Sequence, residues 1–171
     1  MKRLLFGAIA LIALAACGES TNAGTAVTSP AAGATAAAQP TSAPTFKVGD
    51  QIKVGGSLLY SVTSAKVVQP GEFDPAPTGE YLAVAVAFTN QGASPVDVSS
   101  MVSFSLRDAN GQTYNETIIT GQPNAPDGEI AAGDKLAGTL IYDAPKGGDL
   151  KLYFKNDIFS GGAVVVDLGT F

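Results

Sequence analysis

Large apolar side chains alternate with small or polar ones in three stretches between residues 80 and 155. The stretches are "EYLAVAVAFTN" (80–90), "MVSFSLRD" (101–108) and "LKLYFK" (150–155). Their apolar faces hold Leu82, Val84, Val86 and Phe88, then Val102, Phe104 and Leu106, then Leu150, Leu152 and Phe154, whereas Tyr81 and Ala83 fall on the other face of the first stretch. A period of two is typical of a half-buried β-strand, so we predict three strands here.

Four further stretches predict strands, because they are short and rich in β-branched or aromatic residues. They are residues 51–54, 58–68, 135–143 and 163–168, and turn-favouring residues lie at 90–95, 108–111 and 145–148. We find no apolar stripe of an amphipathic helix in this part of the sequence. The pattern predicts one all-β domain over residues 46–171, an antiparallel β-sandwich of about seven to eight strands.

The N-terminal 16 residues have a different pattern. Lys2 and Arg3 precede an uncharged, apolar run over residues 4–16. A basic start followed by a short apolar run is typical of an export signal. The run is shorter than the roughly 20 residues that a membrane-spanning helix needs. We predict a signal peptide over residues 1–16.

The apolar run ends in Leu14, Ala15, Ala16 and Cys17. These residues resemble the lipobox of bacterial lipoproteins, which implies cleavage before Cys17 and a diacylglycerol on its thiol. Several acyl chains hold a protein lastingly on a membrane. The alternatives are a plain secretory signal with a chance cysteine and an uncleaved N-terminal anchor. In Gram-negative lipoproteins, Asp directly after the cysteine commonly favours retention in the inner membrane. This chain has Gly18 at that position, so the resemblance implies attachment to the outer membrane. The sequence does not give the envelope type.

Residues 18–45 consist mainly of Ala, Thr, Ser, Gly and Pro, with Glu19 as their single charge. Such a segment buries too little apolar surface to offset its ordering entropy. With Cys17 it is predicted to form a disordered tether over residues 17–45, with a root-mean-square reach of about 30 Å. The alternative is a Thr/Ser/Pro tract that carries O-linked glycans.

The domain resembles a known family in the order of five stretches: "VGD" (48–50), "PTGEYLAVAVAFTNQG" (77–92), "FSLRDANGQTY" (104–114), "IAAGDKLAGTLIYDAP" (130–145) and "LKLYF" (150–154). These are the telokin-like, immunoglobulin-like domains of bacterial lipoproteins and secreted proteins, catalogued as a domain of unknown function and similar in fold to a secreted mycobacterial immunogenic protein. The resemblance implies an immunoglobulin-like β-sandwich and no chemistry. The Cys…Trp…Cys pattern of antibody domains is missing, because the chain has no Trp and a single Cys.

The residue types exclude several kinds of active site. The chain has no His, and Cys17 is its only thiol. Ser-His-Asp and Cys-His catalysis are therefore excluded, as are zinc and copper sites built on imidazole or thiolate. We expect no enzyme activity, no metal site and no cofactor.

Carboxylates are the remaining chemical candidates. Two acidic pairs and three further oxygen-bearing residues lie in predicted loops: Glu72 with Asp74, Asp127 with Glu129, and Asn124, Asp108 and Asn110. Paired carboxylates can hydrolyse glycosides, and several oxygen ligands can bind calcium. The alternative is that these acids favour turns and keep the surface soluble, in which case "DANG" (108–111) is an ordinary hairpin turn.

The chain is acidic, with a net charge of −5. Removal of Lys2 and Arg3 with the signal leaves eight cations against 15 carboxylates, a net charge of −7. An acidic domain repels phosphate backbones, so we expect no nucleic acid partner. It is also held off an anionic bilayer surface.

Two loops carry large apolar residues in polar surroundings. Phe73 lies among Pro and acidic residues, and Ile158 and Phe159 lie beside two glycines. Exposed side chains of this kind are candidate partner contacts. The interpretation that we favour is that each loop folds back to cap one end of the sandwich.

The leading hypothesis is a lipid-anchored, non-catalytic protein of the bacterial cell envelope, outside the cytoplasm. It would be held to the membrane by lipid on Cys17 and would bind an envelope protein or a surface polymer. One alternative is a calcium- or small-ligand-binding lipoprotein whose oxygen ligands converge from loops 70–79 and 121–129. The other is a carboxylate hydrolase with two carboxylates facing each other across a cleft.

Overall fold

The computed structural model of the protein describes residues 44–155 and 162–171. These residues form twelve strands and one short helix: β1 (Thr45–Lys47), β2 (Ile52–Val54), β3 (Leu58–Val68), β4 (Glu80–Asn90), β5 (Val96–Val98), α1 (Ser100–Ser103), β6 (Phe104–Asp108), β7 (Thr113–Tyr114), β8 (Glu116–Thr117), β9 (Gly128–Ile130), β10 (Lys135–Ala144), β11 (Asp149–Phe154) and β12 (Val164–Thr170).

Ten of these strands form two five-stranded sheets. The first sheet has the order β1-β12-β11-β6-β7 and the second β2-β3-β4-β10-β8, while β5 and β9 pair separately. The predicted all-β sandwich is confirmed. The structure has more strands than the seven to eight predicted, because β1, β5, β7, β8 and β9 have only two or three residues each and are too short to show an alternation.

Two details differ from the prediction. β1 runs parallel to β12, contrary to the all-antiparallel expectation. The predicted strand 101–108 begins only at Phe104, because α1 precedes it. Asp127 accepts hydrogen bonds from the Ser100 amide and hydroxyl at 2.7 and 3.1 Å, which satisfies a free N–H at the start of the helical turn. Val102, assigned to the apolar face, is consequently 57% exposed.

The main core lies between the two sheets. The predicted apolar face of β4 is confirmed, since its four large side chains are at most 1% exposed. At one end of the core, four rings pack with centroids 4.7–6.2 Å apart: Tyr60, Phe88, Phe104 and Phe154. Each such pair contributes about 0.5–1.5 kcal/mol beyond the burial of its area.

A second, smaller apolar cluster lies on the outer face of the second sheet. Ile119 packs there with Tyr81, Ala83 and Ile141, and Val68 lies at its margin. The prediction that β4 is buried on one face only is wrong at this end, because Tyr81 and Ala83, on the face away from the main core, are 3% and 2% exposed. The segment around Ile119 covers this end of β4, and the sheet is therefore buried on both faces here.

Candidate functional site

The loop between β3 and β4, residues 69–79, is held by hydrogen bonds at its middle and at its end. In its middle, Asp74 accepts from the Gly71 amide at 2.7 Å, and from the Thr120 amide and hydroxyl at 2.9–3.1 Å. The Thr120 amide is the largest of the influences that hold the pKa of Asp74 below its usual value. A side chain at Gly71 would overlap the Thr120 hydroxyl and would have to displace it from its hydrogen bond with Asp74.

The end of the loop is fixed by Asp143. Its carboxylate accepts from the amides of Thr78 and Gly79 at 2.7 and 2.9 Å. Burial acts to raise the pKa of Asp143, but the hydrogen bonds together outweigh it and the pKa lies below its usual value. The Tyr81 hydroxyl also donates to the Pro75 carbonyl at 3.0 Å. The loop therefore lies folded against the sheet as a defined surface.

Two large apolar side chains project beside the Asp74–Thr120 contact. Phe73 and Ile118 are each 90% exposed, although Ile119 between Ile118 and Thr120 is buried. The backbone distances limit the separation of the two Cα atoms to about 20 Å. We call these residues, with Glu72 beside them, the Phe73–Ile118 surface. The favoured expectation that Phe73 folds back to cap the sandwich is wrong, and its role as a partner contact stays a prediction.

The Phe73–Ile118 surface lies away from the point where the described chain begins. Thr45 pairs with Val165, which pairs with Tyr153, next to the aromatic cluster that contains Phe88. Ile119, next to Ile118, packs instead on Tyr81 and Ala83. Those residues lie five to seven positions from Phe88 along β4, about 17–23 Å at the rise of a strand.

A groove of about 750 Å³ runs past the end of the same loop. It is lined by Pro77, Thr78, Gly79, Tyr114, Asp143, Ala144, Pro145 and Lys146. Among these residues only Asp143 carries a carboxylate, and both its oxygens accept amide hydrogen bonds. A pair of carboxylates facing across a cleft, as the hydrolase hypothesis requires, is therefore not formed in this groove.

The acidic residues predicted from the loops are used mainly for structure. Asp74 holds Thr120, and Asp127 holds Ser100. Asp108 accepts from the amides of Asn110 and Gln112 at 2.9 Å each, in the turn that joins β6 to β7, so the hairpin interpretation of "DANG" is confirmed. Within residues 44–155 and 162–171, no three acidic side chains converge as a metal would need.

Glu116 is a carboxylate that sequence reasoning missed. It lies on β8 opposite Tyr142, and its Oε2 is buried without a hydrogen-bond partner among the described residues. Burial is the main cause that raises its pKa; Asp127 raises it further, while the Ser100 hydroxyl opposes the shift. No motif indicates this arrangement, because Ser100, Glu116 and Asp127 are far apart in sequence.

Three residues singled out from the sequence, Cys17, Ile158 and Phe159, lie outside the described residues. Their predicted roles in lipid attachment and partner contact stay predictions, as do the signal peptide and the tether. In the part of the chain that the structure covers, we find no helix with the length and hydropathy needed to cross a membrane.

Solved structures with the same fold come from several bacteria. The yjhA protein of Bacillus subtilis superposes with a TM-score of 0.59 at 24% identity, over 71% of this chain and 98% of that one. The candidate lipoprotein ycdA of the same species superposes with a TM-score of 0.53 at 19% identity, over 65% of this chain and 36% of that one. The secreted protein MPT63 of Mycobacterium tuberculosis superposes with a TM-score of 0.55 at 14% identity, over 74% of this chain and 98% of that one. At such identities the likeness shows the fold alone.

A comparison with curated proteins finds no match. A match to a protein family does cover most of the chain, from residue 46 to residue 164. The matched residues include the Phe73–Ile118 surface. The chain belongs to the family described as a domain of unknown function, DUF4352.

Proposed function

We propose that this protein is a lipid-anchored, non-catalytic protein of the bacterial cell envelope whose β-sandwich binds another envelope component. The observation that carries the binding role is the 90% exposure of Phe73 on a loop that Asp74 and Asp143 hold in place. An aromatic side chain displayed on a fixed loop loses little conformational freedom on binding. The arrangement of the carboxylates gives no support to catalysis.

The anchor is proposed from the lipobox. Support comes from the descriptions of two proteins with the same fold, ycdA as a candidate lipoprotein and MPT63 as secreted. The predicted tether of residues 17–45 is one residue too long, because Thr45 begins β1. A tether of residues 17–44 would give the domain a reach of about 30 Å from the membrane surface.

Metabolic labelling of bacterial cells with radioactive palmitate tests the anchor. We expect the wild-type protein to carry label and to sediment with membranes, because acyl chains on Cys17 hold it there. The Cys17→Ala variant should be unlabelled and should leave the membrane fraction. Label that persists in this variant, or an unlabelled wild-type protein, would contradict the proposal.

A further inference from the structure

We propose that the Phe73–Ile118 surface docks into a protein partner that offers an apolar groove rimmed by Lys or Arg. This inference rests on the proposed binding function and names the surface and the chemistry of its partner. Phe73 and Ile118 project from the protein, as their 90% exposure shows, so the concave side of the contact must belong to the partner. Projecting anchors that fill apolar pockets typically supply most of the energy of an interface.

The surface is held in its shape before any partner arrives. Asp74, next to Phe73, accepts a hydrogen bond from the Thr120 amide and so holds the Phe73 loop in place. The buried Ile119, next to Ile118, packs on the sheet and so holds the Ile118 segment in place. Binding therefore does not have to order these segments, which is a main cost of association for flexible loops.

The charge around the anchors favours a basic partner. Glu72 is exposed next to Phe73, and the carboxylates of Asp74 and Asp143 lie close by. These three acids outnumber the two nearby cations, which are Lys66 opposite Ala83 and Lys146 in the groove beside Asp143. The negative charges of Asp143 and Asp74 also act on Tyr81: burial raises the pKa of Tyr81 most, and these two carboxylates raise it further. A rim of Lys or Arg on the partner would complement this surface and speed the encounter.

A second copy of this chain does not fit the surface. A two-fold contact through Phe73 would bring the two Glu72 side chains toward each other, which costs energy.

The bilayer is also a poor occupant of the surface. The described chain begins at the other end of the sandwich, on the first sheet, whereas the anchors lie on the outer face of the second. An acidic surface is moreover repelled by anionic lipid headgroups.

Photocrosslinking in the intact envelope tests the inference. We place p-benzoylphenylalanine at position 73 of the full-length lipoprotein, and at Met101, which is 83% exposed on α1, as the control position. Irradiation should give a protein adduct from position 73 and none from position 101. Ile118→Ser and Glu72→Lys should each lower the amount of adduct about fivefold. Glu129→Lys, the same charge change at an exposed position in the middle of β9, should leave it unchanged.

Several outcomes would overturn the inference. An adduct of twice the mass of the chain would mean that a second copy occupies the surface, and probe attached to lipid would mean that the membrane does. An adduct insensitive to Glu72→Lys, or none above the level of position 101, would also reject it. Amine-reactive crosslinking of the same membranes separates the two proposals. A protein linked by that reagent but not through position 73 refutes the surface alone, and no linked protein by either reagent refutes the binding function as well.

Discussion

The charged form of Glu116 destabilises the folded protein, unlike that of most surface acids. One of its oxygens is buried without a partner, and Asp127 lies on the other side of the shared Ser100 hydroxyl. Both features disfavour the charged form, and burial is the larger of the two. Leaving a buried acceptor unpaired typically costs about 1–3 kcal/mol.

Replacement of Glu116 by Gln should therefore stabilise the protein at neutral pH. The raised pKa means that the folded state holds its proton more tightly than the unfolded state. The stability of the wild type therefore falls as pH rises from the ordinary value of 4.5 through the raised value. The gain from Glu116→Gln should be small below pH 4.5 and should grow above it.

Urea unfolding across this pH range measures the gain. Glu72→Gln is the matched control, since Glu72 is exposed in the loop between β3 and β4. If the free energies of unfolding of Glu116→Gln and the wild type differ by the same amount at every pH, the charge of Glu116 is not the cause of the difference.

At the scale of the elements, Gly138 shows how closely β10 is covered. A Cβ at this position would lie 2.7 Å from the Ala125 carbonyl carbon and the Asn124 oxygen. The Thr139 amide donates a hydrogen bond to the Asn124 carbonyl at 2.9 Å, so the same segment closes part of the free edge of β10. The close approach thus protects an edge that could otherwise pair with another chain.

Gly138→Ala should destabilise the protein by about 1–3 kcal/mol, because backbone must move to admit the methyl group. Gly162→Ala is the control: no described atom lies within 4 Å of its Cβ, and its effect should stay within about 0.5 kcal/mol. The midpoints of urea unfolding compare the two variants. Equal midpoints would show that residues 124–126 yield without cost.

Much of the fold could be predicted from periodicity, and much of the site could not. Alternation along β4 marks both its ends, Glu80 and Asn90, because one face packs against the other sheet. The Asp74–Thr120 contact joins residues 46 positions apart and leaves no period in the sequence. Gly138 did carry a signal, since a glycine within a strand indicates close backbone approach. The exposure of Phe73 had none, because its composition fits a folded-back loop equally well.

The molecule as a whole holds together by packing. Apolar residues from both sheets form one continuous cluster, and the chain's only cysteine precedes the domain. A ligand that bound the folded form would add stability by mass action. The acidic loop residues already have partners within the protein, as Asp74, Asp108 and Asp127 do.

Calcium at millimolar concentration should therefore leave the melting temperature unchanged. The physical reason is that, within the described residues, no three acidic side chains are positioned to share an ion. Thermal unfolding with calcium, with magnesium as the control cation, measures this. A rise of several degrees with calcium alone would revive the calcium-binding alternative.

The parallel pairing of β1 with β12 has a mechanical consequence. If the residues before β1 form the predicted tether, a pull on it enters the domain at Thr45, while a partner on the Phe73–Ile118 surface would hold the domain near the other end. The load then runs along the strands, and the three register pairs from Thr45–Val165 to Lys47–Asp167 bear it together in shear rather than opening one after another. Because forced unfolding is governed by the unfolding rate, we expect the separation of β1 from β12 to be the first step of unfolding under tension.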